Sequence, residues 1–137
     1  MKKKTIILSS LIALMVIAIS IKGVNASKIS TTNNLQAKYL QAWCAMNNGI
    51  EKQLIKNEPD LTCVTNTHTV SVDVAEKWDR SIGLALQYNM LINKPVKVIL
   101  VVEKPSDFEL VNRVKTVLKE PNFTVEYVTP DSLQIDK

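Results

Sequence analysis

Three side chains in the stretch from Thr62 to Trp78 have the chemistry of a reactive site: His68, Ser71 and Asp73. An imidazole can serve as a general base, an activated hydroxyl as a nucleophile, and a carboxylate as a ligand for a hard divalent cation. Within the stretch Val70, Val72 and Val74 alternate with Thr69, Ser71 and Asp73. A strand here turns the valines to one face and the polar set to the other. No His–Asp pattern surrounds Ser71, which argues against a serine nucleophile. His68 is the only histidine and falls where two short strands must turn, so a hydrogen-bonding role in the turn is expected ahead of catalysis. Trp43 and Trp78 lie on apolar helical stripes and are expected in the core, not as stacking platforms.

These residues need elements to hold them. Leu35, Tyr39, Trp43 and Met46 recur at helical spacing, and Asn47-Asn48-Gly49 closes that helix with residues that accept positive φ. Glu51–Ile55 reads as a first strand, Asn57-Glu58-Pro59-Asp60 as a turn, and Thr62 onwards as a hairpin. A second helix is expected over Val74–Met90, with Val74, Trp78, Ile82, Ala85, Leu86 and Met90 inward. Asp73 is its expected N-cap, because Glu76 stands in the capping-box position. Val96–Val102 is almost continuously apolar and β-branched, as a strand covered on both faces must be. Pro105–Lys119 reads as a third helix burying Phe108, Val111, Val114, Val117 and Leu118, and Phe123–Val128 as a last strand. The order α-β-β-β-α-β-α-β implies an α/β fold with a mixed sheet flanked by helices.

The N-terminus sets the expected compartment. A basic Met1-Lys2-Lys3-Lys4, an apolar run from Thr5 to Ser20 and the small residues of Val24-Asn25-Ala26 read as a secretory signal peptide over residues 1–26, exported by the Sec route. Residues 27–34 are polar and expected to be loose, and 35–137 form the domain. The chain has 17 basic and 13 acidic residues, but four lysines fall in the leader, so the mature part carries 13 of each and no net charge. A global basic bias toward nucleic acid or anionic membranes is excluded, and any such site must be a local patch. Candidates are Lys77 and Arg80, one turn apart on the second helix; Arg113, Lys115 and Lys119 on the third; and Lys94, Lys97 and Lys104 around the central strand. Cys44 and Cys63 would enter an oxidising periplasmic or extracellular space, where a disulfide is the default and a metal pair the weaker alternative.

Trp43-Cys44, Gly49, Glu51, Leu54, Cys63-Val64-Thr65, His68, Asp73, Ala75, Lys77-Trp78, Ile82-Gly83, Ala85-Leu86 and Tyr88 fall in an order and spacing that resembles small bacterial proteins of the PD-(D/E)XK nuclease-like superfamily. The Lys77-Trp78 to Ile82-Gly83 segment is the most specific part. The resemblance spans Tyr39 to Tyr127 and implies an αβββαβ core; both cysteines sit at family positions, which supports the disulfide. The functional residues depart from the pattern. The family's metal-binding Asp aligns with Thr62 and its Glu with Ser71, while its helix Gln aligns with Leu84 and its Arg with Asp60. Hydroxyls are poor substitutes for carboxylates around Mg²⁺, so the resemblance implies a degenerate site without metal, cofactor or cleavage.

The expected function is therefore binding: an exported, effector-like protein that recognises a phosphate-bearing partner, either an anionic phospholipid head group or nucleic acid. One alternative is a weak Mg²⁺-dependent endonuclease in which a register shift gathers Asp60, Asp73 and Glu51, with Pro59-Asp60 imitating the superfamily's Pro-Asp. Another is a protein-interaction module that uses a sheet edge or the polar hairpin face.

Overall fold

Strand β4 (Val96–Val101) is the spine of the molecule, and every residue in it except Lys97 is buried. The computed structural model describes residues 31–136; the expected leader lies outside them. Helix α1 (Thr31–Met46) is followed by strands β1 (Ile50–Lys52), β2 (Thr62–Val64) and β3 (Thr69–Val74). A 3₁₀ turn (Ala75–Lys77) leads into helix α2 (Trp78–Leu91), and after β4 come helix α3 (Asp107–Val117), strand β5 (Phe123–Val128) and a last 3₁₀ turn (Asp131–Leu133). The chain is thus an α/β fold. Its five strands lie in the order β1-β2-β3-β4-β5, antiparallel across the first three and parallel across β3, β4 and β5. Parallel neighbours cannot be joined by a tight turn, and α2 and α3 are the two crossovers.

Both crossover helices cover one face, where Leu84, Ala85, Tyr88, Val111 and Val114 pack on Val96, Val98 and Leu100. The other face lies under α1: Tyr39, Leu40 and Trp43 meet Val70, Val72, Ile99 and Val101, with Leu133 beside them. The disulfide between Cys44 and Cys63 staples α1 to β2. Helix α1 is closed two residues past Met46 by Asn48, whose φ of 52° is left-handed. Gly49 N–H then bonds Cys44 C=O at 2.9 Å and Asn48 N–H bonds Ala45 C=O at 3.4 Å, a Schellman ending. A Cβ at Gly49 would stand 2.2 Å from Cys63 Sγ and 2.8 Å from Cys44 Sγ, so only glycine lets the chain pass the disulfide.

Several sequence expectations need correction. Helix α1 begins at Thr31, inside the segment expected to be loose, and its buried stripe is Gln36, Tyr39, Leu40, Trp43 and Cys44, while Leu35 and Met46 are exposed. The first strand is only Ile50–Lys52. Asp73 does not cap α2. It ends up buried in β3, and the residue at the helix N-cap is Lys77, without a side-chain cap. Inward on α2 are Ser81, Leu84, Ala85 and Tyr88, with Leu86 and Met90 outside. Helix α3 buries Asp107, Val111 and Val114 but exposes Phe108 and Val117. Asp107 Oδ2 accepts the backbone N–H groups of Glu103 (3.0 Å) and Lys104 (3.2 Å), tying the β4–α3 loop to the helix start. No helix among the described residues is long and apolar enough to cross a membrane.

Candidate functional site

Strand alternation decides what faces α2. Ser71 and Asp73 lie opposite Val98 and Leu100, so they share the face covered by the crossover helices. Cys63 pairs with Val70 on the α1 side, which puts Thr62 on the same face as Ser71. Thr62, Thr69, Ser71 and Asp73 are all buried there. A buried hydroxyl or carboxylate needs a partner or it is costly. Thr62 Oγ1 donates to Val70 C=O at 2.7 Å. Tyr88 reaches Thr62 from α2, and burial raises its phenol above the ordinary range.

Arg80 supplies the charge. From the first turns of α2 its guanidinium enters a group of acids: Nη2 bonds Glu58 Oε1 at 2.9 Å and pairs with Asp60 Oδ2, while Nη1 lies 3.5 Å from Asp73 Oδ2. Gln36 completes the group from α1, its Oε1 accepting from Arg80 Nη1 at 3.3 Å and its Nε2 donating to Val72 C=O at 3.5 Å. Asp73 Oδ1 accepts the Val74 N–H at 2.8 Å. Burial raises the Asp73 carboxyl to about 6, opposed by the Val74 N–H and by Lys77. The Arg80 guanidinium also favours the ionised form. Three carboxylates thus converge on one fixed cation.

The sequence candidates separate cleanly. Asp60 and Asp73 do come together, but through Arg80. Glu51 does not join them: it pairs with Cys63, on the α1 face of edge strand β1, so the expected Asp60/Asp73/Glu51 grouping is corrected to Glu58/Asp60/Asp73. Among the described residues no set of three or more His, Cys, Asp or Glu side chains is disposed to hold a metal ion. The acids that meet do not fit Mg²⁺ as they stand, because a divalent ion would have to share the space with the guanidinium.

The expected cationic patches are largely spoken for. Arg80 is the inward arginine just described and leaves the anion-binding set. Lys94 Nζ donates to Thr65 C=O at 3.0 Å, Lys97 pairs with Glu126 at 2.7 Å, and Lys104 pairs with Glu76. Arg113 lies over the Trp78 ring at 5.1 Å, joining α3 to the start of α2. Lys115 and Lys119 are exposed and Lys77 half-buried, and none of the three has an ion-pair partner among the described residues. His68 sits in the β2–β3 turn with Nδ1 2.8 Å from Thr67 Oγ1, while its N–H bonds Thr65 Oγ1 at 3.0 Å. Trp43 is in the α1-side core and Trp78 packs against the other.

Glu58 and Gln36 escaped the sequence reading. Glu58 had a signal, two residues before Asp60 in a turn that leads into β2. Gln36 had none, since a glutamine beside Leu35 gives no sign that it will be the buried one. No family model, curated protein or solved structure matches the chain.

Proposed function

We propose that the chain is an exported, catalytically inert nuclease-like scaffold that acts by binding a phosphate-bearing partner. One observation carries the inert half of this reading: Arg80 stands among Glu58, Asp60 and Asp73. In a metal-dependent nuclease a divalent ion in such a cluster would activate water and stabilise the developing charge. A guanidinium can neutralise carboxylates but has no open coordination position at which to bind and deprotonate a water as a metal ion does. The Cys44–Cys63 bond suits an oxidising compartment, in keeping with export. For the partner, the members of the expected patches left uncommitted to acids or backbone among the described residues are Lys77, Arg113, Lys115 and Lys119, and charge-assisted bonds from these would meet phosphate oxygens.

The test has two arms. The purified protein and its Asp73→Ala variant are incubated with single- and double-stranded DNA and RNA in Mg²⁺ or Mn²⁺. No metal-dependent cleavage is expected, and cleavage abolished by Asp73→Ala would overturn the inert reading. Binding to anionic and zwitterionic liposomes and to DNA is then followed against salt. Anionic liposomes or DNA should bind at low salt, and reversal at Lys77 and at Lys115 with Lys119 should weaken that binding. Indifference to both reversals removes the phosphate partner.

A further inference from the structure

The two edges of the sheet are built differently. Edge strand β1 has three residues, all exposed, two of them the charged Glu51 and Lys52. Short, charged strands are how natural sheets discourage further pairing. Edge strand β5 has six residues, no proline and one charge, Glu126, which is already held by Lys97 at 2.7 Å.

The ladder phase shows what β5 offers. Val96 N–H bonds Asn122 C=O and Val102 N–H bonds Val128 C=O, both at 2.8 Å. In a parallel ladder every second residue directs its backbone groups to the neighbour, so Thr124 and Glu126 also face β4. Val125 and Tyr127 therefore point N–H and C=O away from the sheet. Phe123 differs, because its N–H is taken by Glu120 C=O at 3.0 Å. No described strand lies beyond β5.

The rim of this edge has a chemical character. Exposed Phe108 of α3 meets exposed Tyr127 edge-to-face, with ring centroids 5.0 Å apart. Asn112 and Lys115 follow Phe108 at i+4 and i+7, along the same side of the helix, and Lys119 lies just beyond its end. Lys115 and Lys119 are exposed and have no acidic partner among the described residues.

We propose that β5 is a strand-addition site for an extended, acidic segment of a partner protein. The backbone of Val125 and Tyr127 supplies the hydrogen bonds, the Phe108–Tyr127 pair receives an apolar side chain, and Lys115 and Lys119 select carboxylates. This goes beyond the phosphate reading, since lysine side chains could hold phosphate without any free strand edge.

Fluorescein-labelled peptides of about eight residues, a length that spans one strand, alternate valine with glutamate or valine with lysine and are followed by anisotropy. The glutamate peptide binds saturably and the lysine peptide does not. Val125→Pro removes an outward N–H that β4 does not use and weakens binding about tenfold. It leaves liposome or DNA binding unchanged, which separates this site from a lysine–phosphate site. Charge reversal at Lys115 and Lys119 together transfers preference to the lysine peptide. Should Val125→Pro unfold the protein, hydrogen exchange on the native chain decides: the glutamate peptide must protect the Val125 and Tyr127 amides. Equal binding of both peptides, indifference to Val125→Pro, unprotected amides, or self-association through β5 in place of peptide binding would each overturn the proposal.

Discussion

Strand β3 has two sides that are held by different physics. Val70 and Val72 face α1, in a core of Tyr39, Leu40 and Trp43 that the Cys44–Cys63 bond locks to the sheet. Ser71 and Asp73 face the other way, with Thr62 beside them, into buried hydroxyls and acids gathered around Arg80. The first side gains from removing apolar area from water. The second must overcome the desolvation of every polar group it buries, and an ion pair in such a place is weak evidence of stability. The α1 side is thus the anchor, and the polar side is the part a purely structural sequence could replace with apolar residues.

The largest test of that contrast is on the anchor. Replacing both cysteines with serine, or reducing the bond, should cost about 3 kcal/mol in the chain-entropy account of a loop this size. The loss should be nearly the same at pH 7 and pH 4.5, as urea midpoints at the two values would show. On the polar side, Arg80→Ala leaves three carboxylates without their cation. Removing one partner of a fully buried pair costs several kcal/mol, but the Arg80 side chain is 31% exposed, so about 2 kcal/mol is expected. Unlike the disulfide loss, it should shrink when Asp73→Asn is added. An Arg80→Ala cost that Asp73→Asn leaves untouched would mean that the two groups do not interact.

The same contrast explains what could be read from the chain beforehand. β4 was legible because Val96, Val98, Ile99, Leu100 and Val101 are buried, and their continuous run has few other structural solutions. The parity of β3 was legible because valines alternate with polar residues. The helix phases were not. On α2 the buried set includes Ser81, whose Oγ bonds Lys77 C=O at 3.3 Å, while Met90 is 85% exposed. Apolar residues are common on surfaces, so a stripe chosen by hydrophobicity alone rotates toward the wrong side when the real footprint is partly polar. Arg80 reads as part of a surface patch with Lys77 for that reason. Its partners come from a turn about twenty residues earlier and from the preceding strand, and no local period encodes the match between their charges.

The smallest expected effect isolates the polar side by pH. Burial raises the Asp73 carboxyl to about 6, above its ordinary value near 4. The folded chain therefore binds a proton more tightly than the unfolded chain between those values. Stability from this group is greatest below pH 4 and falls as pH rises through about 6. A shift of about two units would carry roughly 3 kcal/mol. Arg80, 3.5 Å from Oδ2, favours the ionised form and opposes that shift, so the contribution falls below that figure. Asp73→Asn keeps an oxygen for the Val74 N–H but cannot titrate. As pH drops from 7 to 4.5, urea midpoints of the native chain should therefore rise relative to those of Asp73→Asn. Parallel midpoints would mean that Arg80 fully offsets the burial of Asp73, and the polar side would then be as indifferent to pH as the disulfide-locked side.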